Sequence, residues 1–183
     1  MTDQTQRFET DVLPHLDAAY NLARWLMRDE HAAEDIVQDA FIRAFQYFGS
    51  FRGGDARPWL LGIVRNACYT RFQQNTRAPQ AANLDDDLEH YVPMVDAQGR
   101  AQTPETLLDQ KQLGAQISAA ISSLPMAFRE VLILREIEEM SYDDIAAIMQ
   151  VPIGTVMSRL SRARAMLKEQ LGDCRKEVGY GNR

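Results

Sequence analysis

Cysteine is scarce in this chain of 183 residues, with only Cys68 and Cys174, and neither belongs to a C-x-x-C pair. The three histidines, His15, His31 and His90, show no ligand-like spacing. Structural zinc sites and disulfide frameworks need closer sets of these residues, so no metal or cofactor is expected and both thiols read as reduced and incidental. Long apolar runs are missing too. No stretch approaches the ~20 residues of a membrane-spanning helix. The opening residues, MTDQTQRFETD, carry neither a basic nor an apolar signal region. The expectation is a cytoplasmic chain without direct membrane insertion. Strands are not signalled by any convincing apolar–polar alternation. Nor does any nucleophile, base and orienting residue converge, so an enzyme is not expected.

A net charge of −6 argues at first against a nucleic-acid partner, but its distribution reverses that inference. Residues 1–77 hold nine basic and ten acidic side chains, 78–107 one and six, and 108–183 ten and ten. The acidity is therefore concentrated in the middle. From Val151 onward seven basic residues face three acidic ones, a local excess of +4.

That basic end contains the most informative stretch, MSYDDIAAIMQVPIGTVMSRLSRARAMLK, residues 140–168. Ser141 with Asp144 forms a helix-start signal, and Ile145, Ala146, Ile148 and Met149 supply one apolar side. Gln150 and Val151 interrupt, and Pro152 fits the first turn of a second helix. In that helix Val156, Leu160, Ala163 and Leu167 recur at steps of four, three and four, one stripe at roughly 100° per residue. Ser158, Ser161, Arg162 and Ala165 point away from the stripe, with Arg159 and Arg164 on its flanks. Two readings are open: an amphipathic surface helix with solvated arginines, or a helix-turn-helix whose small, cationic face enters a major groove. The tight turn and the capped preceding helix favour the second.

Upstream, Pro79, Pro93 and Pro104 punctuate a weakly periodic acidic segment that reads as a flexible linker. It is either a simple tether or an acidic strand that fills a basic channel in a partner. The N-terminal part starts with an amphipathic stretch from about Phe8 to Leu26 and breaks near Arg28-Asp29-Glu30. Over Ala32 to Phe48, residues Val37, Phe41, Ala44 and Phe48 form an apolar face widened by Ile36, Ala40 and Phe45. Glu34, Asp35, Gln38, Asp39 and Arg43 occupy the rest, which on residue pattern alone is a solvated face. The segment Gly49 to Asp55 is a loop with paired glycines, ended by Pro58, and a helix starts near Trp59. Its inward set is Trp59, Leu60, Ile63, Val64 and Ala67, while Arg57, Arg65, Asn66, Tyr69 and Arg71 lie at or near the surface. Aromatics among arginines can grip single-stranded nucleic acid; Trp59, on the apolar face, more simply anchors the core. The chain is thus all-α, with two helical domains joined by the acidic linker.

Three segments together carry a family resemblance: AEDIVQDAFIRAF, then FRGGDARPWLLGIVRN, then LPMAFREVLILREIEEMSYDDIAAIMQVPIGTVMSRLSRARAMLKEQL. In this order and across an acidic linker, they resemble an extracytoplasmic-function (ECF) sigma factor of the bacterial sigma-70 family. The resemblance implies a sigma-2-like bundle at about residues 6–77, a linker at 78–107, a sigma-4-like helix-turn-helix domain at 108–172 and a tail at 173–183. It implies a non-catalytic factor that directs core RNA polymerase, through its β′ clamp and β subunits, to promoter DNA. Asp35, Gln38, Asp39 and Arg43 are then the implied polymerase contacts. Arg52, Asp55, Arg57, Arg65 and Asn66 fall in the implied −10 region, where a loop captures a flipped base and offsets the unstacking cost. Thr155, Ser158, Arg159, Ser161 and Arg162 fall in the −35-reading helix, although Met157 and Ser161 stand where relatives often carry basic or larger residues. An anti-sigma partner is a further implication. The alternative is a stand-alone helix-turn-helix regulator with its N-terminal helices as a dimerisation or effector module, which requires a symmetric dimer.

Overall fold

A computed structural model describes residues 3–77 and 104–177, all of whose regular elements are helical. The first domain contains α1 (Asp3–Asp11), α2 (Leu16–Met27), α3 (Glu30–Tyr47) and α4 (Ala56–Arg77). The amphipathic stretch expected from Phe8 to Leu26 is broken. Pro14, which has no N–H to continue a helical ladder, sits in a 3-10 turn over Leu13–His15 that separates α1 from α2. The expected break after α2 is present: Arg28 adopts a left-handed conformation (φ 59°) and donates its N–H to Arg24 O. Asp29 then caps α3 by accepting from the Ala32 N–H at 2.6 Å.

The first core is built where α2, α3 and α4 meet. Leu22 and Leu26 from α2, Ala40 and Ala44 from α3, and Leu60, Leu61 and Val64 from α4 have no exposed surface. Each buried leucine contributes about 1.5–3 kcal/mol relative to exposure. Phe8 fastens α1 to this bundle through edge-on contacts with Phe41, Phe45 and Phe48 at 6.4, 5.2 and 5.3 Å between centroids. Phe45, expected to widen the apolar face of α3, is 43% exposed and touches only its margin. Between α3 and α4 the chain turns through Gly53 and Gly54, at φ 86° and 93°, a backbone region open to glycine.

The second domain comprises α5 (Pro104–Ser123), α6 (Met126–Leu132), α7 (Tyr142–Met149) and α8 (Ile153–Glu177). Two boundaries differ from the sequence expectation. Pro104 opens α5 and does not break it, since a proline is tolerated in a first turn, so the helix reclaims 104–107 from the expected linker. At the other end α8 continues to Glu177, into the expected tail. Residues 78–103, the rest of the linker with its acidic run, lie outside the described residues.

Between α6 and α7 the chain forms a π-helical turn over Ile133–Ile137. Its mark is the Glu138 N–H reaching back five residues to Ile133 O at 3.0 Å. Glu139 follows at φ 51°. This geometry turns Glu138 toward the first domain. The two domains pack together, α2 against α6 and α4 against α7.

Candidate nucleic-acid interface

The helix-turn-helix is held by its caps. Ser141 Oγ accepts from the Asp144 N–H at 3.1 Å and donates to Asp144 Oδ2 at 2.6 Å, so the carboxylate returns to the hydroxyl and not to the backbone. Gln150 closes α7 in the left-handed region (φ 55°). Pro152 lies one residue ahead of α8, not in its first turn: its carbonyl accepts from the Thr155 and Val156 N–H groups at 2.8 and 3.2 Å. The inward stripe is formed as expected, with Val156, Leu160 and Ala163 buried and Leu167 half-buried. Ser158, Ser161, Arg162 and Ala165 are exposed on the opposite side, while Thr155 and Arg159 are half-buried at its edges. Arg164 leaves the cationic face, since its Nε donates to Glu136 Oε1 at 3.0 Å.

On α3 the inward residues Ile36, Val37 and Ala40 are buried, and Asp35, Gln38, Asp39 and Arg43 are all exposed. Beside them an open groove of about 420 Å³ runs between α2 and α3. Leu16, Tyr20, Val37 and Phe41 provide apolar lining, and Asp17, Glu34 and Gln38 a polar margin.

The third set of residues surrounds the loop before α4. Asp55 caps this helix by accepting from the Arg57 N–H at 2.9 Å, so α4 starts at Ala56 rather than near Trp59, and Pro58 falls inside its first turn. Trp59 packs at 5.2 Å from Phe51 and 6.3 Å from Phe48, an aromatic cluster that anchors the loop to the core. Arg52, Asp55 and Asn66 are exposed.

Arg57 and Arg65, read from the sequence as surface cations, are instead engaged by the second domain. Arg57 donates to Glu138, which also accepts from Asn21 Nδ2 at 3.3 Å. Arg65 donates to Glu130, and its guanidinium lies 4.3 Å above the Tyr69 ring. Glu130 and Glu138 are 0% and 3% exposed. Burial raises the Glu130 carboxyl above its ordinary range, opposed by Arg65 and Tyr69. Alongside, the buried Arg129 donates to Ser122 O at 2.6 Å and to Leu26 O at 3.4 Å, across the same seam. Sequence reasoning missed both glutamates as site residues. The one available signal was the adjacent pair Arg129-Glu130, two charged residues set between the apolar Met126–Phe128 and Val131–Leu134.

Residues 12–78 match the family described as Sigma-70 region 2, and residues 114–167 match Sigma-70, region 4. The chain belongs to the sigma-70 family of RNA polymerase sigma factors. It is 36% identical over 160 residues to the ECF RNA polymerase sigma factor SigE of Mycolicibacterium smegmatis, a match covering 87% of this chain and 60% of that protein. It is 32% identical over 165 residues to the RNA polymerase sigma-H factor of Pseudomonas aeruginosa, covering 90% of this chain and 86% of that one. Among solved structures, the sigma factor RpoE in complex with the anti-sigma factor NepR from Bartonella quintana superposes with a TM-score of 0.68 at 30% identity. That likeness covers 91% of this chain and 98% of the other. These matches place the chain in the ECF group. Its two regions follow in one chain across the acidic segment, so the stand-alone regulator is not favoured. No helix among the described residues is long and apolar enough to cross a membrane.

Proposed function

We propose that this ECF sigma factor docks on core polymerase through the exposed face of α3, reads the −35 element with α8 and opens the −10 element with the loop and first turns of α4. The observation that carries this reading is the separation of faces on α3. Its apolar side is spent on the core, while Asp35, Gln38, Asp39 and Arg43 stand free in solvent beside an apolar groove. Such a rim around an apolar centre is the composition of a protein–protein interface. On α8 the short Ser158 and Ser161 allow close approach, and Arg162 has the reach for a base edge. Arg52, Asp55 and Asn66 are presented to solvent around the −10 loop, with Arg57 and Arg65 completing the set once the second domain moves away.

The reading places the factor in the cytoplasm with the polymerase, acting in initiation and leaving RNA synthesis to core. The Bartonella structure pairs a similar sigma factor with an anti-sigma protein, which supports an anti-sigma partner for this chain as well. Transcription in vitro from a genomic promoter library, with purified core and the full chain, tests the reading. Promoter-specific initiation that requires both components is expected. Gel shifts on the selected promoters should show little specific binding without core; tight, specific binding by the chain alone favours an operator-binding regulator instead.

A further inference from the structure

The leading turns of α8 hold two large apolar side chains in solvent. Ile153 is 42% exposed and Met157 54%, and their spacing of four sets one above the other on a single edge of the helix. Ser161 and Arg164 continue this edge at steps of four and three. Ser161 is too short to shield Met157, and Arg164 is drawn away by Glu136, to which its Nε donates at 3.0 Å. The edge is therefore apolar where it leads. Arg159 lies on the opposite edge, roughly half a turn away at 100° per residue, so the two sides of one exposed face offer DNA different chemistry. An arginine meets phosphates and guanine edges. An apolar side chain gains nothing from either, and the apolar group that a base presents on the floor of the major groove is the thymine C5-methyl.

We propose that Met157, with Ile153 behind it, is a specificity residue of the −35 interaction and reads thymine by packing on the C5-methyl group. This rests on the reading of α8 as the −35 helix. Cytosine lacks the methyl, and adenine and guanine present polar atoms to the groove, so the contact discriminates among bases without a hydrogen bond. Methionine suits this task. Its three rotatable bonds and polarisable sulfur let the side chain follow a methyl group across an irregular surface. The two residues are about 6 Å apart along the axis at 1.5 Å per residue, which is less than two base-pair steps of about 3.4 Å. They address neighbouring base pairs.

The test is a uracil scan with holoenzyme assembled from core and the full chain. Each thymine of the preferred −35 element is replaced singly by deoxyuridine, which keeps the base pair and removes only the methyl group, and affinity is measured for the parent, Met157→Ala and Ile153→Ala. The parent should lose about fourfold at one thymine or at two neighbouring ones, the effect of one buried methyl-sized group. In Met157→Ala the loss at one of these positions should vanish, because side chain and methyl form one coupled pair. Ile153→Ala should diminish the loss there or at the neighbouring position. Both side chains are exposed, so helical circular dichroism should match the parent; if Met157→Ala does not fold, Met157→Gln, of similar length, should abolish the same uracil loss. A preferred element without thymine, no uracil loss in the parent, or a loss that folded Met157 variants leave unchanged overturns the proposal. The reading of α8 is judged separately by the ranking of −35 variants: it stands if Arg162→Ala alone changes that ranking, and falls with the proposal if neither Arg162→Ala nor Met157→Ala does.

Discussion

Tyr69 donates its hydroxyl hydrogen to Glu130 Oε2 at 2.8 Å and so ties α4 of the first domain to α6 of the second. The bond survives across the working pH range, since burial first and the Glu130 charge second push the phenol up to about 12. The carboxyl is the group that titrates.

Burial raises the Glu130 pKa, with Arg65, Tyr69 and Arg159 pulling the other way. A carboxyl raised in the folded state contributes stability that is fully present below its ordinary pKa and lost as pH rises through the raised value. Acidification from neutral pH toward the ordinary carboxylate range should therefore firm the seam at this residue. Glu130→Gln, always neutral, lacks this dependence. Urea midpoints compared across that range should show the parent gaining on the variant as pH falls. A constant gap, or the opposite trend, contradicts the assignment.

The surface of α3 proposed to face polymerase should separate association from folding. Asp35 and Gln38 are exposed on α3, where substitutions rarely shift stability by more than ~0.5 kcal/mol. Asp35→Arg with Gln38→Ala should abolish association with core in a pull-down while the melting temperature stays nearly unchanged. A double variant that competes normally for core removes this face from the interface.

Two arginines on α8 should behave differently. Arg162 is exposed and Arg159 half-buried, so in the proposed docking of α8 the first would meet a base edge and the second a phosphate. On the preferred −35 element Arg162→Ala should lose about 1–3 kcal/mol and relax one base position. Arg159→Ala should weaken every −35 variant alike and lower the salt slope by roughly one unit. Holoenzyme titrated on a −35 library at several salt concentrations measures both. A uniform loss for Arg162→Ala would reassign it to the phosphates.

Cys68 should be inert in the native chain. It has no exposed surface, and burial, reinforced by the Glu130 charge, pushes its thiol up to about 12. The thiolate is the reactive form. Site-resolved mass spectrometry after alkylation near pH 8 should find Cys68 unmodified until denaturant is added. Rapid native alkylation would show that the core of α4 opens locally.

Much of this architecture is legible in the sequence because its determinants are local. Ser141 and Asp144 are three residues apart, and the Val156–Leu160–Ala163 stripe repeats within two turns, so caps and faces can be read from spacing alone. The same holds for the Arg28–Asp29 break. Errors arise where one residue has two permitted roles. Pro14 separates two helices, whereas Pro58 and Pro104 sit inside first turns, and periodicity does not distinguish these cases. The seam was illegible for a different reason. Arg65 meets Glu130 across 65 positions and Arg57 meets Glu138 across 81, and a charged residue looks solvent-facing until its partner is known.

The wide sequence separation of the seam gives it a place in time. Each domain is made of helices packed on near neighbours, contacts that form early, while a contact across 65 or more positions waits for chain that does not yet exist. On the ribosome the first domain is complete about 60 residues before Glu138 is synthesised, an interval of roughly 3–12 s at ~5–20 residues per second. For those seconds the nascent chain shows a bare α4 face with no carboxylate to cover it. Availability at birth and availability after release are thus different properties of the same surface.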